Sequence, residues 1–210
     1  MYSVKEIYLT LQGEGAQTGR RAVFCRCAGC NLWSGREQDR ASAVCQFCDT
    51  QFVGTDGPGG GQFETGEDIA RACMDLWGGH NGEKPLVVLT GGEPMLQVDE
   101  ALIEALHETG FGIAIESNGT LPVPRSIDWI CISPKAGAEL VQTSGDELKL
   151  VYPQAGITPE EVAGLAFGTF LLQPMDGDNR TQNIQAALDY CLEHPGWRLS
   201  LQTHKIIGIA

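Results

Sequence analysis

The stretch "PLVVLTGGEP", Pro85 to Pro94, decides the reading of the fold. Its first half is an unbroken apolar run. Such a run, without polar alternation, is what a strand covered on both faces looks like, and parallel sheets are built of these. Its second half changes character abruptly. Two glycines allow the backbone to approach another group closely, and a carboxylate and a proline follow. Working outward, the same succession recurs. Strands are expected at Val4–Thr10, Ala22–Arg26, Pro85–Thr90, Phe111–Glu116, Trp129–Ser133, Glu147–Tyr152, Thr169–Gln173 and Trp197–Thr203. Amphipathic helices are expected after Thr65, which with Asp68 forms a candidate cap, over Val98–Thr109, and over Asn179–His194. Alternation of strand and helix predicts a largely parallel sheet. A complete eight-fold barrel uses ~250 residues, and this chain has 210. The expected fold is therefore α/β, a partial, open β/α barrel of the TIM type with an inserted loop around its cysteines, in one domain over 1–210. The glycine-rich Gly54–Gln62 is read as a loop.

Each expected strand ends in a polar cluster: "TGGEP" (Thr90–Pro94), "ESNGT" (Glu116–Thr120), "SPK" (Ser133–Lys135), "QPMD" (Gln173–Asp176) and "QTHK" (Gln202–Lys205). The carboxyl ends of parallel strands line one face, and that face carries the site. Turn chemistry explains one such cluster. Six in order, counting the cysteine stretch, point to one composite pocket.

The net charge of −13, with no basic stripe, excludes a nucleic-acid or anionic-membrane binder. No stretch is long and apolar enough to span a membrane, and the start lacks a signal peptide, so a reducing cytoplasm is expected. Disulfides are rare there, and clustered cysteines mean metal or catalysis. The stretch Arg26–Thr50, "RCAGCNLWSGREQDRASAVCQFCDT", holds four. On a strand, Val23, Cys25 and Cys27 share one face and Arg26 points to the other. Cys27 then belongs to an apolar row, leaving Cys30, Cys45 and Cys48. Three thiolates leave one iron of a [4Fe–4S] cluster open, whereas a closed four-thiolate zinc site is structural. Spacing alone does not choose. Cys73, Cys131 and Cys191 read as small buried hydrophobes.

A strand followed by "GGEP", downstream of three clustered cysteines, resembles the radical S-adenosylmethionine (SAM) superfamily. More narrowly, "LQGEG" (Leu11–Gly15), Arg26 before "GCNLW" (Gly29–Trp33), "CDT" (Cys48–Thr50), "TGGEP", "ESNGT", "SPK", "QPMD" and the terminal "LSLQTHKIIGI" are together similar to the 7-carboxy-7-deazaguanine synthase family, across nearly the whole chain. One departure is visible. The superfamily spaces its cysteines C-x3-C-x2-C, and here an insert, Ser34–Val44, delays the second to Cys45. Longer loops cost little closure entropy, about 0.6 kcal/mol per doubling.

The resemblance implies a cluster on Cys30, Cys45 and Cys48, reductive cleavage of SAM, hydrogen abstraction from 6-carboxy-5,6,7,8-tetrahydropterin and ring contraction with loss of ammonia. It implies SAM contacts from Phe47, Asp49, Gly91, Gly92, Glu93, Ser117, Ser133, Pro134, Lys135, Gln173, Pro174, Met175 and Asp176. It implies substrate contacts from Leu11, Gln12, Gly13, Glu14, Arg26, Thr90, His204 and the Ala210 carboxylate, and Mg²⁺ on Thr50. A flavodoxin-like electron donor and a homodimer are further family expectations. The competing readings are a glycyl-radical activating enzyme of the same superfamily and a zinc-stabilised binding module.

Overall fold

The computed structural model describes residues 1–79 and 84–209. The expectation for Ala210 lies outside these residues. The strands are β1 (Tyr2–Leu11), β2 (Arg21–Cys27), β3 (Gly61–Phe63), β4 (Leu86–Gly91), β5 (Gly112–Ser117), β6 (Trp129–Ile132), β7 (Ser144–Tyr152), β8 (Ala166–Pro174) and β9 (Trp197–Leu199). The helices are α1 (Gly66–Trp77), α2 (Glu100–Glu108), α3 (Pro159–Val162), α4 (Arg180–Glu193) and α5 (Thr203–Ile207). One sheet runs in the order β3-β1-β2-β4-β5-β6-β7-β8-β9. The β1 pairings are antiparallel, and every pairing from β2 to β9 is parallel. Its ends, β3 and β9, do not pair with each other, so the barrel stays open.

Helix starts follow the capping chemistry of the sequence. The Thr65 side chain accepts from the Asp68 amide at the head of α1, and that of Asp99 accepts from the Leu102 amide at the head of α2. Ile69, Cys73 and Trp77 of α1 and Leu102, Ile103 and Leu106 of α2 are buried against Val23, Cys25, Val87, Leu89, Ile113 and Ile115. Alternation sends the other residues of those strands to the concave face. There Ala22, Leu86, Val88 and Ala114, with Phe24 and Trp129, form a small apolar floor. Toward the carboxyl ends that face turns polar, with Arg26 beside Thr90 and Glu116 beside Cys131, which in turn neighbours Glu147.

Three expectations change. The last strand stops at Leu199, and Thr203–Ile207 is a helix, so His204 and Lys205 are not on a strand. The reason is a better partner: the Thr203 amide and hydroxyl both donate to the Gly13 carbonyl, at 2.9 and 2.8 Å. The glycine-rich loop closes as β3, pairing Gly61–Phe63 with Tyr2–Val4. Cys73 and Cys131 are buried as expected, but Cys191 is only half-buried.

Candidate active site

Two adjoining cavities open at the carboxyl ends of the strands. The first is lined by Cys30, Cys45 and Cys48, by Phe47, Gly91, Gly92, Ser117, Ser133 and Lys135, and by Gln173, Pro174, Met175 and Asp176. The second is lined by Leu11, Gln12, Gly13, Arg26 and His204, with Tyr8, Phe24 and Lys205. Glu14, Asp49, Thr50, Thr90, Glu116 and Gln202 line both, and so form their junction.

The cysteines divide as strand alternation implied. Cys27 is buried on the core side of β2, and the neighbouring Cys25 and burial hold its thiol well above the usual range. A protonated, enclosed thiol is a poor ligand. Cys30, Cys45 and Cys48 are unpaired and share the first cavity. Among the described residues the one trio of candidate ligand atoms all within 4.8 Å of one another is Glu116, Cys131 and Glu147. The three cavity thiols, with no fourth cysteine among the lining residues, suit a cluster with an open iron.

The insert is bound into this loop. The Arg40 guanidinium lies 4.1 Å from the centre of the Trp33 ring and donates to the Gln46 and Cys48 carbonyls at 2.9 and 3.1 Å. It also pairs with Glu37. The long spacing therefore closes on itself beside Cys48.

The glycines of "TGGEP" have an immediate steric cause. A Cβ on Gly91 would strike the Cys27 backbone. One on Gly92 would strike the Gly29 carbonyl and come within 2.7 Å of the Cys30 Cβ. The end of β4 presses on the cysteine loop itself, and Gly92→Ala is expected to displace Cys30. We expect about 1–3 kcal/mol of destabilisation, read as a lower unfolding midpoint, together with reduced iron uptake on reconstitution.

Glu93 departs from expectation. It is fully buried and lines neither cavity. Its carboxylate accepts from the Ser117 hydroxyl at 2.9 Å and from the Asn118 and Met95 amides at 2.7 and 3.0 Å. It joins the ends of β4 and β5 and has little left to offer a ligand. Pro134 is also buried outside both cavities. Lys135 donates to the Ser133 carbonyl and hydroxyl, each at 2.6 Å. Asp49 and Asp176 share Lys205. Gly13 packs directly under His204, where a Cβ would overlap the imidazole Nδ1. Arg26 donates from Nε to Glu6 at 2.7 Å and from Nη2 to the Tyr8 hydroxyl at 2.9 Å.

At the junction, Lys149 lies 2.8 Å from Glu14 and 2.7 Å from Glu116. Burial pushes the Glu14 carboxyl upward, but the Lys149 ammonium, with Gln202 and Gln173, outweighs it and holds the carboxyl at about 2. A depressed carboxyl pKa gives stability that is present above the unfolded value, 4.5 here, and lost as pH falls through the folded one. Relative to Glu14→Gln, the protein is expected to lose about 3 kcal/mol between pH ~5 and ~2. Denaturant titrations of both proteins across that range check this.

Sequence reasoning did not single out Lys149, Tyr8 or Glu6, and it met Asn118 and Gln202 only as members of strand-end clusters. For Lys149 a signal exists: in "ELKLV", Glu147 and Lys149 alternate with Leu148 and Leu150, which gives an otherwise apolar strand one polar face.

No family model matches the chain. Curated relatives do, along their whole length. 7-Carboxy-7-deazaguanine synthase of Caulobacter vibrioides is 64% identical over 208 residues, covering 99% of both chains. The chain belongs to the 7-carboxy-7-deazaguanine synthase family. The family's members from Bordetella pertussis and Bacteroides thetaiotaomicron are 62% and 42% identical, over 99% and 100% of this chain and 99% of their own length. In fold, the chain is similar to the crystal structure of QueE from Escherichia coli, with a TM-score of 0.71 at 24% identity, covering 97% of this chain and 94% of that one.

Proposed function

We propose that this chain, as one domain, converts 6-carboxy-5,6,7,8-tetrahydropterin to 7-carboxy-7-deazaguanine, using a [4Fe–4S] cluster, SAM and Mg²⁺. The observation that carries this reading is the pair of cavities meeting at Glu14, Asp49, Thr50, Thr90, Glu116 and Gln202. One side has three free thiols, and the other has a guanidinium and a polar edge. When bound, SAM and the cluster supply hydrogen-atom abstraction.

The chain's residues do the rest. Cys30, Cys45 and Cys48 hold the cluster. Phe47, Gly91, Gly92, Ser117, Ser133, Lys135 and the Gln173–Asp176 segment enclose SAM. In the second cavity Arg26 takes the substrate carboxylate, for which its planar fork is suited. Gln12, Glu14 and Glu116 present an amide and two carboxylates to the aminopyrimidinone ring. His204, seated on Gly13, closes that wall. The Thr50 hydroxyl at the junction is a hard oxygen ligand fit for Mg²⁺, with substrate oxygens and water completing the shell. Substrate and product differ by one ammonia, so the conversion needs no net oxidant. The site's task is to hold the ring and exclude water during rearrangement.

Among the described residues no helix is long and apolar enough to cross a membrane, and the reading includes a cytoplasmic site of action. A one-electron donor of the flavodoxin type is needed to start turnover. A homodimer is supported by exposed apolar side chains on β1, Leu9 and Leu11, and around α5, Ile206, Ile207 and Ile209. The deciding experiment incubates the anaerobically reconstituted protein with SAM, reductant, Mg²⁺ and the carboxytetrahydropterin. The deazaguanine is expected, and its absence from iron-replete protein refutes the reading.

A further inference from the structure

We infer that Lys149 is a positioning residue that holds Glu14 and Glu116 as a two-carboxylate clamp for the N–H edge of the substrate ring, where the cavities meet. The inference rests on the reading of the second cavity as the substrate's. Lys149 is only 4% exposed. Its ammonium bridges one oxygen of each carboxylate, and it is the one cation paired with either of them among the described residues. The carboxylates come from distant places, Glu14 from the loop after β1 and Glu116 from the end of β5. Their remaining oxygens are steered by amides: Gln202 donates to Glu14 at 3.0 Å and Gln12 to Glu116 at 3.2 Å.

A buried ion triad is a weak source of stability, because desolvation offsets the attraction. Its placement points to another use. Both carboxylates line both cavities, and the lysine stands beneath them on β7. Two carboxylates and one ammonium leave one net negative charge. Facing the space where the two cavities meet, that charge suits a ring edge that presents several N–H groups and no acceptor to spare. Other groups around the lysine are Glu147 on the same strand, Cys131 on the neighbouring β6 and Lys135 beyond β6. Burial raises Cys131 and Glu147, so neither substitutes for the clamp.

The test compares wild type, Lys149→Met and Lys149→Arg, all reconstituted without oxygen, using 6-carboxytetrahydropterin and its 2-deamino analogue. Wild type comes first. If it forms no product, the functional reading falls, and this inference with it. If it turns over, Lys149→Met is expected to lose about 100-fold in kcat/KM for the pterin, chiefly through KM, as is typical when a supporting partner is removed. Its acid limb is expected to move to higher pH as the Glu14 carboxylate loses its cation. Lys149→Arg, which keeps the charge, restores the limb. The deamino analogue is expected to bind wild type more than tenfold more weakly and to lose little further with Lys149→Met. An unmoved acid limb with unchanged KM overturns the inference. Equal wild-type affinity for the two pterins overturns it even if Lys149→Met does not fold.

Discussion

Cys45→Ser is expected to lose the cluster and all measurable turnover, while Cys27→Ser keeps its iron near the wild-type level. The two cysteines belong to one C-x2-C-x14-C-x2-C pattern, so the asymmetry is a sharp test. Its cause is the direction of one strand. Cys27 is the last residue of β2, and its side chain points into the core beside Cys25. Cys45 lies in the loop, aimed into the first cavity with Cys30 and Cys48. Altering groups that merely support a metal ligand costs ~10–100-fold, so losing a ligand costs more. Iron per chain and the charge-transfer absorbance after anaerobic reconstitution measure both variants. Cys27→Ser carries its own small penalty, because a buried hydroxyl replaces a thiol, and a lower unfolding midpoint separates that from ligand loss. A colourless Cys27→Ser protein of normal stability rules out the division. A zinc-loaded wild type that refuses iron would favour the binding-module reading instead.

Arg26→Gln is expected to reduce kcat/KM for the carboxytetrahydropterin by about 30- to 700-fold, the equivalent of about 2–4 kcal/mol for a desolvated charge pair. Most of the loss should appear in KM. Arg26 already pairs with Glu6 and donates to the Tyr8 hydroxyl, so a purely structural role is the competing account. Glu6→Gln separates the two. If Arg26 serves the substrate, Glu6→Gln leaves KM within a few-fold and mainly alters stability. If it serves only the ion pair, both variants lose stability together and neither moves KM. The 6-decarboxylated pterin gives a second view, since it should bind wild type and Arg26→Gln about equally.

How much of this was legible beforehand differs by residue. Strand positions were clear where the apolar run was continuous, as at Leu86–Gly91, because a strand buried on both faces has no choice of environment. The separation of Cys27 from the other cysteines was legible for a related reason, since alternation along a strand is fixed by the backbone. The end of the chain was not. "WRLSLQT" reads as one strand, yet Thr203 turns away to bind Gly13, a residue 190 positions distant. The surroundings of Glu93 were hidden for the same kind of reason. Nothing local shows that the Ser117 hydroxyl and the Asn118 amide wait to take its carboxylate.

The sequence by itself determined the α/β order, the polar strand ends, the three cysteines of the loop and the family. These depend on local periodicity and on motifs in chain order. Tertiary structure alone decided which of the polar groups face one another. Glu14, Glu116 and Lys149 are 33 to 135 positions apart, and the lysine lies within 3 Å of both carboxylates only because a curved sheet brings the ends of β1, β5 and β7 around one concave face. Electrostatic pairing falls off with distance in space and takes no account of distance along the chain. That is why a lone lysine inside "DELKLVY" carried no message until the fold placed two carboxylates beside it.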